Sequence, residues 1–177
     1  MTRSSYQIYR GKFCITSSRS GSTRHPQQRM RCEGESSPLL THFSDCIDCH
    51  RINSRVRVTS VIEMLNSSNA LSLLQPHDII LDCTDNAPTR YLLSDTAVRL
   101  GKPLVSGAAQ RYEGQLCIYN LGKDGPCYRC IFPKPAAAES TGSCEETGIL
   151  GAVTGIIGNM QALETIKLIT GLHGRHD

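Results

Sequence analysis

A carboxylate near the middle of the chain suits the binding of a hard cation. Asp85 follows an apolar run that ends at Asp82, and a helix signal begins just after it. In open α/β sheets ligands bind at the carboxyl ends of strands, where a carboxylate can hold Mg²⁺ against nucleotide phosphates. A plainer interpretation makes Asp85 or Asn86 a helix cap and Arg90 a solvated helical charge.

Cys127 and Cys130 form a Cys-x-x-Cys pair, which is half of the thiolate set of a structural zinc site. Two thiolates do not close such a site. Cys46 and Cys49 are a possible second half, disfavoured because they lie in an N-terminal leader. A pair of free thiols is the plain alternative. A redox pair at a helix N-terminus is disfavoured, because the Gly and Pro residues around Cys127 indicate a loop.

Cys144 differs from the other cysteines in its surroundings. It lies in a polar, Gly-containing segment ahead of an apolar helix, whose N-terminal dipole favours a thiolate. An exposed thiolate there suits attack on an acyl group, and an inert loop cysteine is the alternative. Cys83 and Cys117 belong to apolar strand patterns and are interpreted as small core residues.

The elements that must position these residues follow from the apolar pattern. The run from His77 to Cys83 predicts a parallel strand buried on both faces. Pro88 suits the first turn of a helix that ends at Gly101, and residues 102–106 form the next strand. This order predicts a right-handed βαβ unit with Asp85 at its ligand-binding edge. A strand after residue 55 and a short helix over 69–74 precede it.

The last third of the chain is predicted to be a strand, an irregular segment and a helix. Residues 111–119 read as an antiparallel strand, and residues 122–147 form a loop of a length that is uncommon unless it is functional or held by a metal. The apolar stretch over 148–170 predicts a helix. Gly151, Gly155 and Gly158 give that helix a small-residue face, which predicts close packing on a sheet or another helix.

Composition excludes several classes of protein. The 177 residues are 39% hydrophobic and 20% charged, as in a globular protein of about one domain, and collagen-like, coiled-coil and wholly disordered classes are excluded. The longest mainly apolar stretch, 149–157, is shorter than the roughly 20 residues of a membrane span. Nine cysteines, an odd number without a signal-like start, favour a reducing compartment, the cytoplasm, over a disulfide scaffold.

The basic excess of the chain is confined to its N-terminal leader. The formal charge is +3, and the excess falls within the first fifty residues, so the remainder gives no electrostatic case for nucleic acid. Residues 1–51 lack an apolar period and are predicted to be a disordered leader. A mitochondrial transit peptide is the alternative, disfavoured because Gly11, Gly21 and Pro26 interrupt any long amphipathic helix.

Several motifs in order resemble the E1-like ThiF/MoeB family, and within it the eukaryotic enzymes that combine molybdopterin-synthase adenylylation with activation of a ubiquitin-related modifier for tRNA thiolation. The resemblance covers the chain from about Ile52 onward. The motifs that carry it are Asp82-Cys-Thr-Asp85-Asn-x-x-x-Arg90-Tyr, Pro103-Leu-Val-Ser-Gly107, Tyr112-Glu-Gly-Gln115, Gly125-Pro-Cys-Tyr-Arg-Cys130 and the helix over 148–170.

The resemblance implies a Rossmann-like α/β adenylation domain over residues 52–177. Family members use ATP and Mg²⁺ to adenylate the C-terminal glycine of a ubiquitin-fold sulfur carrier, which then receives sulfur as a thiocarboxylate, and they act as homodimers. The resemblance assigns Asp85 to magnesium and matches Asn86 and Arg90 to neighbouring site positions. It assigns zinc to Cys127 and Cys130, and it aligns Cys144 with a cysteine that acts after adenylation.

Three parts of the family pattern are not found in this sequence. A Gly-x-Gly-Gly-x-Gly turn for the phosphates is missing from residues 1–51, and neither a second Cys-x-x-Cys pair beyond residue 130 nor a rhodanese-like domain follows. We therefore expect weak adenylating activity and substoichiometric zinc from the chain as given. The rival expectation is a non-catalytic module for dimerisation or carrier docking.

Overall fold

The backbone forms a six-stranded mixed sheet with helices on both faces. The computed structural model describes residues 5–9, 13–17, 57–61, 63–135 and 148–173. The strands are β1 (Ser5–Tyr9), β2 (Phe13–Ser17), β3 (Arg57–Val61), β4 (Ile79–Asp82), β5 (Leu104–Gln110) and β6 (Glu113–Tyr119). The helices are α1 (Ala70–Leu74), α2 (Ala87–Leu100), α3 (Tyr128–Ile131) and α4 (Gly151–Thr170).

The strand order confirms the predicted βαβ unit. The order is β3-β1-β2-β4-β5-β6, with β1 and β3 parallel, β4 and β5 parallel, and the other neighbours antiparallel. Helix α2 connects β4 to β5, as the pattern predicted. Strand β5 runs past Ser106 to Gln110, because its antiparallel ladder with β6 continues to the pair Gln110 and Glu113. The mixed α/β fold class is therefore confirmed.

Two strands lie in the leader, where the sequence predicted disorder. β1 and β2 form an antiparallel hairpin that is inserted between β3 and β4. Aromatic and β-branched residues recur at a spacing of two in both strands, as in Tyr6 and Ile8, or Phe13 and Ile15, which is typical of strands. The structure thus differs from the expectation at these segments. The alternation of residue types is the local signal for a strand, and β1 and β2 also pair through their backbones with β3 and β4. Cys46 and Cys49 lie outside the described residues.

Strand β4 is buried on both faces, as expected of a central strand. Leu74, Ile80, Leu93 and Leu104 form a cluster on the side of α1 and α2. On the other side, Ile79, Leu81 and Val105 pack against hydrophobic residues that include Leu168 and Ile169 of α4. The alternation of Ile79, Ile80 and Leu81 therefore fills two cores, and the sheet is the middle of three layers.

The close approach of α4 to the sheet is made by glycines of the strands and not by those of the helix. A Cβ on Gly107 would lie 2.7 Å from Oε1 of Gln161, and a Cβ on Gly114 would lie 2.5 Å from Ile157. A Cβ on Gly151, Gly155 or Gly158 would have no neighbour within 4 Å. The predicted packing of the helix glycines on the sheet is thus wrong within the described residues, because a Cβ at these positions would contact nothing. Their packing on another helix stays a prediction.

Helix α4 is also the longest of the described helices, at 20 residues. Its sheet-facing side carries the buried Gln161 and Thr165, and its other side exposes Ile156, Met160 and Leu163. No helix in the described part of the chain is both long enough and apolar enough to cross a membrane.

The two kinds of glycine should respond to alanine in opposite directions. We expect Gly114→Ala to lower the free energy of unfolding by about 1–3 kcal/mol, because the new methyl group overpacks against Ile157. Gly155→Ala should raise it by about 0.5–1 kcal/mol, because the site is open and alanine favours the helix. Urea unfolding of both variants is the measurement, and a loss of stability in Gly155→Ala would contradict the assignment.

Candidate functional site

The carboxylate of Asp82 is the buried centre of a hydrogen-bond network at the end of β4. Its side chain is fully buried. Oδ1 accepts hydrogen bonds from the backbone N–H and the hydroxyl of Thr84, at 2.9 and 2.6 Å. Oδ2 accepts one from the hydroxyl of Ser106 at 2.8 Å. The network joins the carboxyl end of β4 to β5, because Asp82 and Ser106 are partners in the parallel ladder.

Arg90 joins this network from the first turns of α2. Its Nε lies 3.4 Å from Oδ2 of Asp82, and its Nη2 donates to the carbonyl of Thr84 at 2.6 Å. Only 17% of the Arg90 side chain is exposed. The interpretation of Arg90 as a solvated charge is therefore wrong. The guanidinium offsets the buried charge of Asp82 and ties α2 to the segment that carries Asp85.

Gln161 of α4 reaches the same place from the other face of the sheet. Its Nε2 donates to the carbonyls of Asp82 and Val105, at 2.8 and 2.9 Å. The thiol of Cys83 donates to its Oε1 at 3.4 Å, and only 2% of Gln161 is exposed. One carboxamide thus bonds backbone carbonyls of both β4 and β5 from α4. Gly107 makes room for it.

Asp85 is exposed at this edge, between the buried network and the start of α2. The cap of α2 is Asn86, whose Oδ1 accepts from the backbone N–H of Thr89 at 2.9 Å. Capping by Asn86 leaves the carboxylate of Asp85 just outside the helix N-terminus, where the helix dipole favours negative charge. The arrangement places an acidic side chain at the carboxyl end of a parallel strand, which is the position where α/β sheets bind ligands.

The sequence predicted a loop around Cys127 and Cys130, but the structure has one helical turn there. Cys127 is the residue before α3, and the N–H of Cys130 donates to its carbonyl at 3.0 Å. The two sulfur atoms are 3.5 Å apart. Two thiolates at the ideal Zn–S distance in a tetrahedral site are about 3.8 Å apart. The pair therefore fits as half of a zinc site.

The local hydrogen bonds favour the thiolate form of Cys127. Burial acts to raise the pKa of this thiol, but hydrogen bonds from the Cys130 thiol and from the backbone N–H groups of Cys130 and Arg129 outweigh it and lower the pKa. A lowered pKa suits a metal ligand, because the thiolate is the binding form. Within the residues that the structure describes, no group of three or more His, Cys, Asp or Glu side chains is placed to hold a metal ion.

The structure brings some of the predicted residues together and leaves others outside its description. Asp85, Asn86 and Arg90 lie together at the β4–α2 junction. Cys127 and Cys130 lie elsewhere, on the α3 turn that packs beside the middle of α2. Cys144 falls in 136–147, outside the described residues. Sequence reasoning missed Thr84, Ser106 and Gln161. A signal existed for Gln161, since a glutamine within the apolar helix stretch is a buried polar residue that needs partners.

Solved structures with a similar fold include those of E. coli MccB. The chain resembles the crystal structure of E. coli MccB with AMPCPP and SeMet MccA at a TM-score of 0.57 and 18% identity, over 70% of this chain and 38% of that one. The structure of E. coli MccB with ATP gives a TM-score of 0.54 at 17% identity, over the same shares of the two chains. At these identities the likeness concerns the fold alone.

Sequence comparison defines the family. The sequence model of the ThiF family matches residues 30–176, so the chain belongs to the ThiF family. The "Adenylyltransferase and sulfurtransferase MOCS3" of Drosophila grimshawi is 54% identical over 121 residues, which are 68% of this chain and 27% of that protein. The Bos taurus protein of the same name is 50% identical over 130 residues, 73% of this chain and 28% of its own length. The chain thus spans about a quarter of these curated relatives.

The contacts of Gln161 with β4 and β5 should contribute strongly to the stability of the protein. We expect Gln161→Leu to lower the free energy of unfolding by about 2–4 kcal/mol, because it leaves the buried carbonyls of Asp82 and Val105 without their donor. Gln110→Leu is the matched control, since Gln110 is exposed on β5 and should change stability by less than about 0.5 kcal/mol. Denaturant unfolding measures both. Equal effects of the two substitutions would show that the carboxamide contacts contribute little.

Proposed function

We propose that the chain is part of an ATP-dependent enzyme that adenylates the C-terminal glycine of a ubiquitin-fold sulfur carrier, in the service of tRNA wobble-uridine thiolation and molybdopterin synthesis. The observation that carries the proposal is the position of Asp85, exposed beyond the buried hydrogen-bond network of Asp82 at the carboxyl end of β4. Family membership and the names of the relatives support the class of reaction. Sulfur transfer to the adenylated carrier is part of the same proposal.

In this proposal the residues at the β4–α2 junction hold the nucleotide. Adenylation joins a carboxylate oxygen of the carrier to the α-phosphorus of ATP and releases pyrophosphate. Asp85 holds Mg²⁺, which offsets the negative charge of the phosphates when it is bound. Asn86 fixes the start of α2 by capping it, and Arg90 fixes the segment between Asp82 and Asp85. These two residues orient Asp85 through the backbone.

Cys127 and Cys130 are proposed as zinc ligands with a structural role. Their sulfur–sulfur distance and the lowered pKa of Cys127 fit thiolate coordination. The remaining ligands of a closed site are not assigned. With only these two thiolates, zinc bound to the chain should be substoichiometric and easily removed by a chelator.

The second candidate function is a non-catalytic module for dimerisation or carrier docking. The observation that favours it is the apolar side of α4, where Ile156, Met160 and Leu163 are 60%, 46% and 56% exposed. Exposed side chains at a helical spacing form a stripe of the kind that a second helix covers. A homodimer through this stripe is compatible with both candidates, so the adenylation reaction itself must discriminate between them.

ATP–pyrophosphate exchange with a sulfur-carrier protein tests the adenylating function. We expect weak exchange from the chain as given and strong exchange from a chimaera in which the corresponding segment of the Drosophila grimshawi relative replaces residues 1–51. In the chimaera, Asp85→Ala should reduce exchange by at least about 100-fold, because it removes the phosphate-bound cation. Asp124→Ala, an exposed carboxylate ahead of α3, is the matched control and should leave exchange unchanged.

Each outcome of this experiment has a distinct meaning. Full exchange in the Asp85→Ala chimaera would remove Asp85 from the site. A folded chimaera without exchange would favour the docking module. Exchange by the unaltered chain at the rate of the whole relative would contradict the expected weakness.

Cys144 is proposed as the cysteine that acts on the adenylated carrier. Its thiol should be alkylated before those of Cys83 and Cys117, which the structure places in half-buried positions, because access and thiolate character both raise reactivity. Competitive alkylation of the folded chain, followed by mass spectrometry of its peptides, measures the order. Earlier modification of Cys83 or Cys117 would show that Cys144 is not the reactive thiol.

A further inference from the structure

The two residues between Cys127 and Cys130 are both anchored to the middle of α2. Arg129 makes a two-pronged ion pair with Asp95, from Nε to Oδ1 at 2.7 Å and from Nη2 to Oδ2 at 2.8 Å. Its guanidinium also lies 4.7 Å from the centre of the Tyr91 ring. Such bidentate pairs fix the direction of the side chain as well as its distance. Arg129 is therefore held in a defined orientation between the two thiols.

Tyr128 is held by a hydrogen bond and by two aromatic rings. Its backbone N–H donates to the hydroxyl of Ser94 at 3.1 Å. Its ring meets those of Tyr91 and Tyr119 edge to face, with centroids 4.9 and 5.5 Å apart. Ser94, Tyr91 and Tyr119 are all buried. Edge-to-face pairs of this kind add to the stabilisation that burial provides.

The segment after Cys130 is fixed to the same helix. The hydroxyl of Tyr91 donates to the carbonyl of Phe132 at 2.8 Å. Tyr91, Ser94 and Asp95 are spaced i, i+3 and i+4, so they lie on one face of α2. Contacts with that single face therefore hold the chain between and after the two cysteines.

These contacts fix the distance between the thiols by means of protein groups alone. The sulfur atoms are 3.5 Å apart. A ligand that is bound by two neighbouring thiols matches this distance. We propose that Cys127 and Cys130 are a preformed dithiol that binds trivalent arsenicals, with Asp95 as a positioning residue. The proposal concerns the same cysteines as the zinc role above but depends on neither zinc nor ATP.

The reaction with an aryl arsenical oxide balances without a change of oxidation state. Two sulfur–hydrogen bonds and the arsenic–oxygen bond break, and two arsenic–sulfur bonds form. Both thiol protons leave with the oxygen as one water molecule, and arsenic remains trivalent. The ring that closes contains both cysteines and the backbone between them, so a fixed and short distance between the thiols favours the bridge over attachment to one cysteine.

The test uses the full, reduced and metal-free chain with phenylarsine oxide as the probe. Trypsin cleaves after Arg129 and the Glu-specific protease Glu-C cleaves after Glu139, so a double digest places Cys127, Cys130 and Cys144 in three different peptides. A bridged pair keeps both peptides in one species that carries phenylarsenic, which mass spectrometry identifies. We expect this linked species to form first as the probe is added. A bridge that forms first between another pair of cysteines, or a probe on one cysteine only, would overturn the proposal.

Variants of the anchor separate positioning from the mere presence of two cysteines. Asp95→Asn should raise the half-saturating probe concentration about three- to fivefold, the range of one exposed ion pair, and Asp95→Glu should restore most of the binding. Arg99→Gln, another exposed charge of α2, is the control and should bind as the unaltered chain does. Equal binding by Asp95→Asn would overturn the positioning role. The zinc content of the chain is measured separately and tests the zinc proposal. Its outcome does not affect the arsenical-binding result, which is obtained with the metal-free chain.

Discussion

The buried carboxylate of Asp82 is the constraint on which the candidate site depends. A charged group with no exposure to water is stable only when other groups complete its hydrogen bonds. Thr84 and Ser106 do so from the end of β4 and from β5, and Arg90 of α2 adds an ion pair. Because these partners come from three elements, satisfying one side chain fixes the relative position of all three. Asp85 comes three residues after Asp82, so the network around Asp82 also determines where Asp85 lies.

Helix α2 connects the two chemical parts of the molecule. Its N-terminal end carries Asn86 and Arg90, next to Asp85, and its middle holds the Cys-x-x-Cys turn through the ion pair of Asp95 with Arg129. The left-handed Gly101 ends the helix and turns the chain into β5. The nucleotide and metal roles proposed above therefore belong to groups supported by one rigid element, although the groups are far apart in sequence.

Local patterns predicted the elements well and the long-range partners poorly. The apolar run before Asp82, the proline at the start of α2 and Gly101 at its end located the βαβ unit and, with it, Asp85. The partners of Gln161 are backbone carbonyls of Asp82 and Val105, which no sequence pattern marks. The close packing at Gly107 and Gly114 depends on which side of α4 faces the sheet. The hairpin of the leader depends on edges that β3 and β4 provide.

The place of that hairpin in the sheet has a consequence for the order of folding. β1 and β2 precede the other described strands in the chain, and they can pair with each other at once. Their outer neighbours come much later, since Ser5 pairs with Arg57 and Phe13 with Asp82. The unit from β4 to β6, by contrast, pairs strands that are close in the chain and closes short loops. We therefore expect residues 79–119 to pair first, and until β3 and β4 join the hairpin, it offers two unpaired edges to other chains.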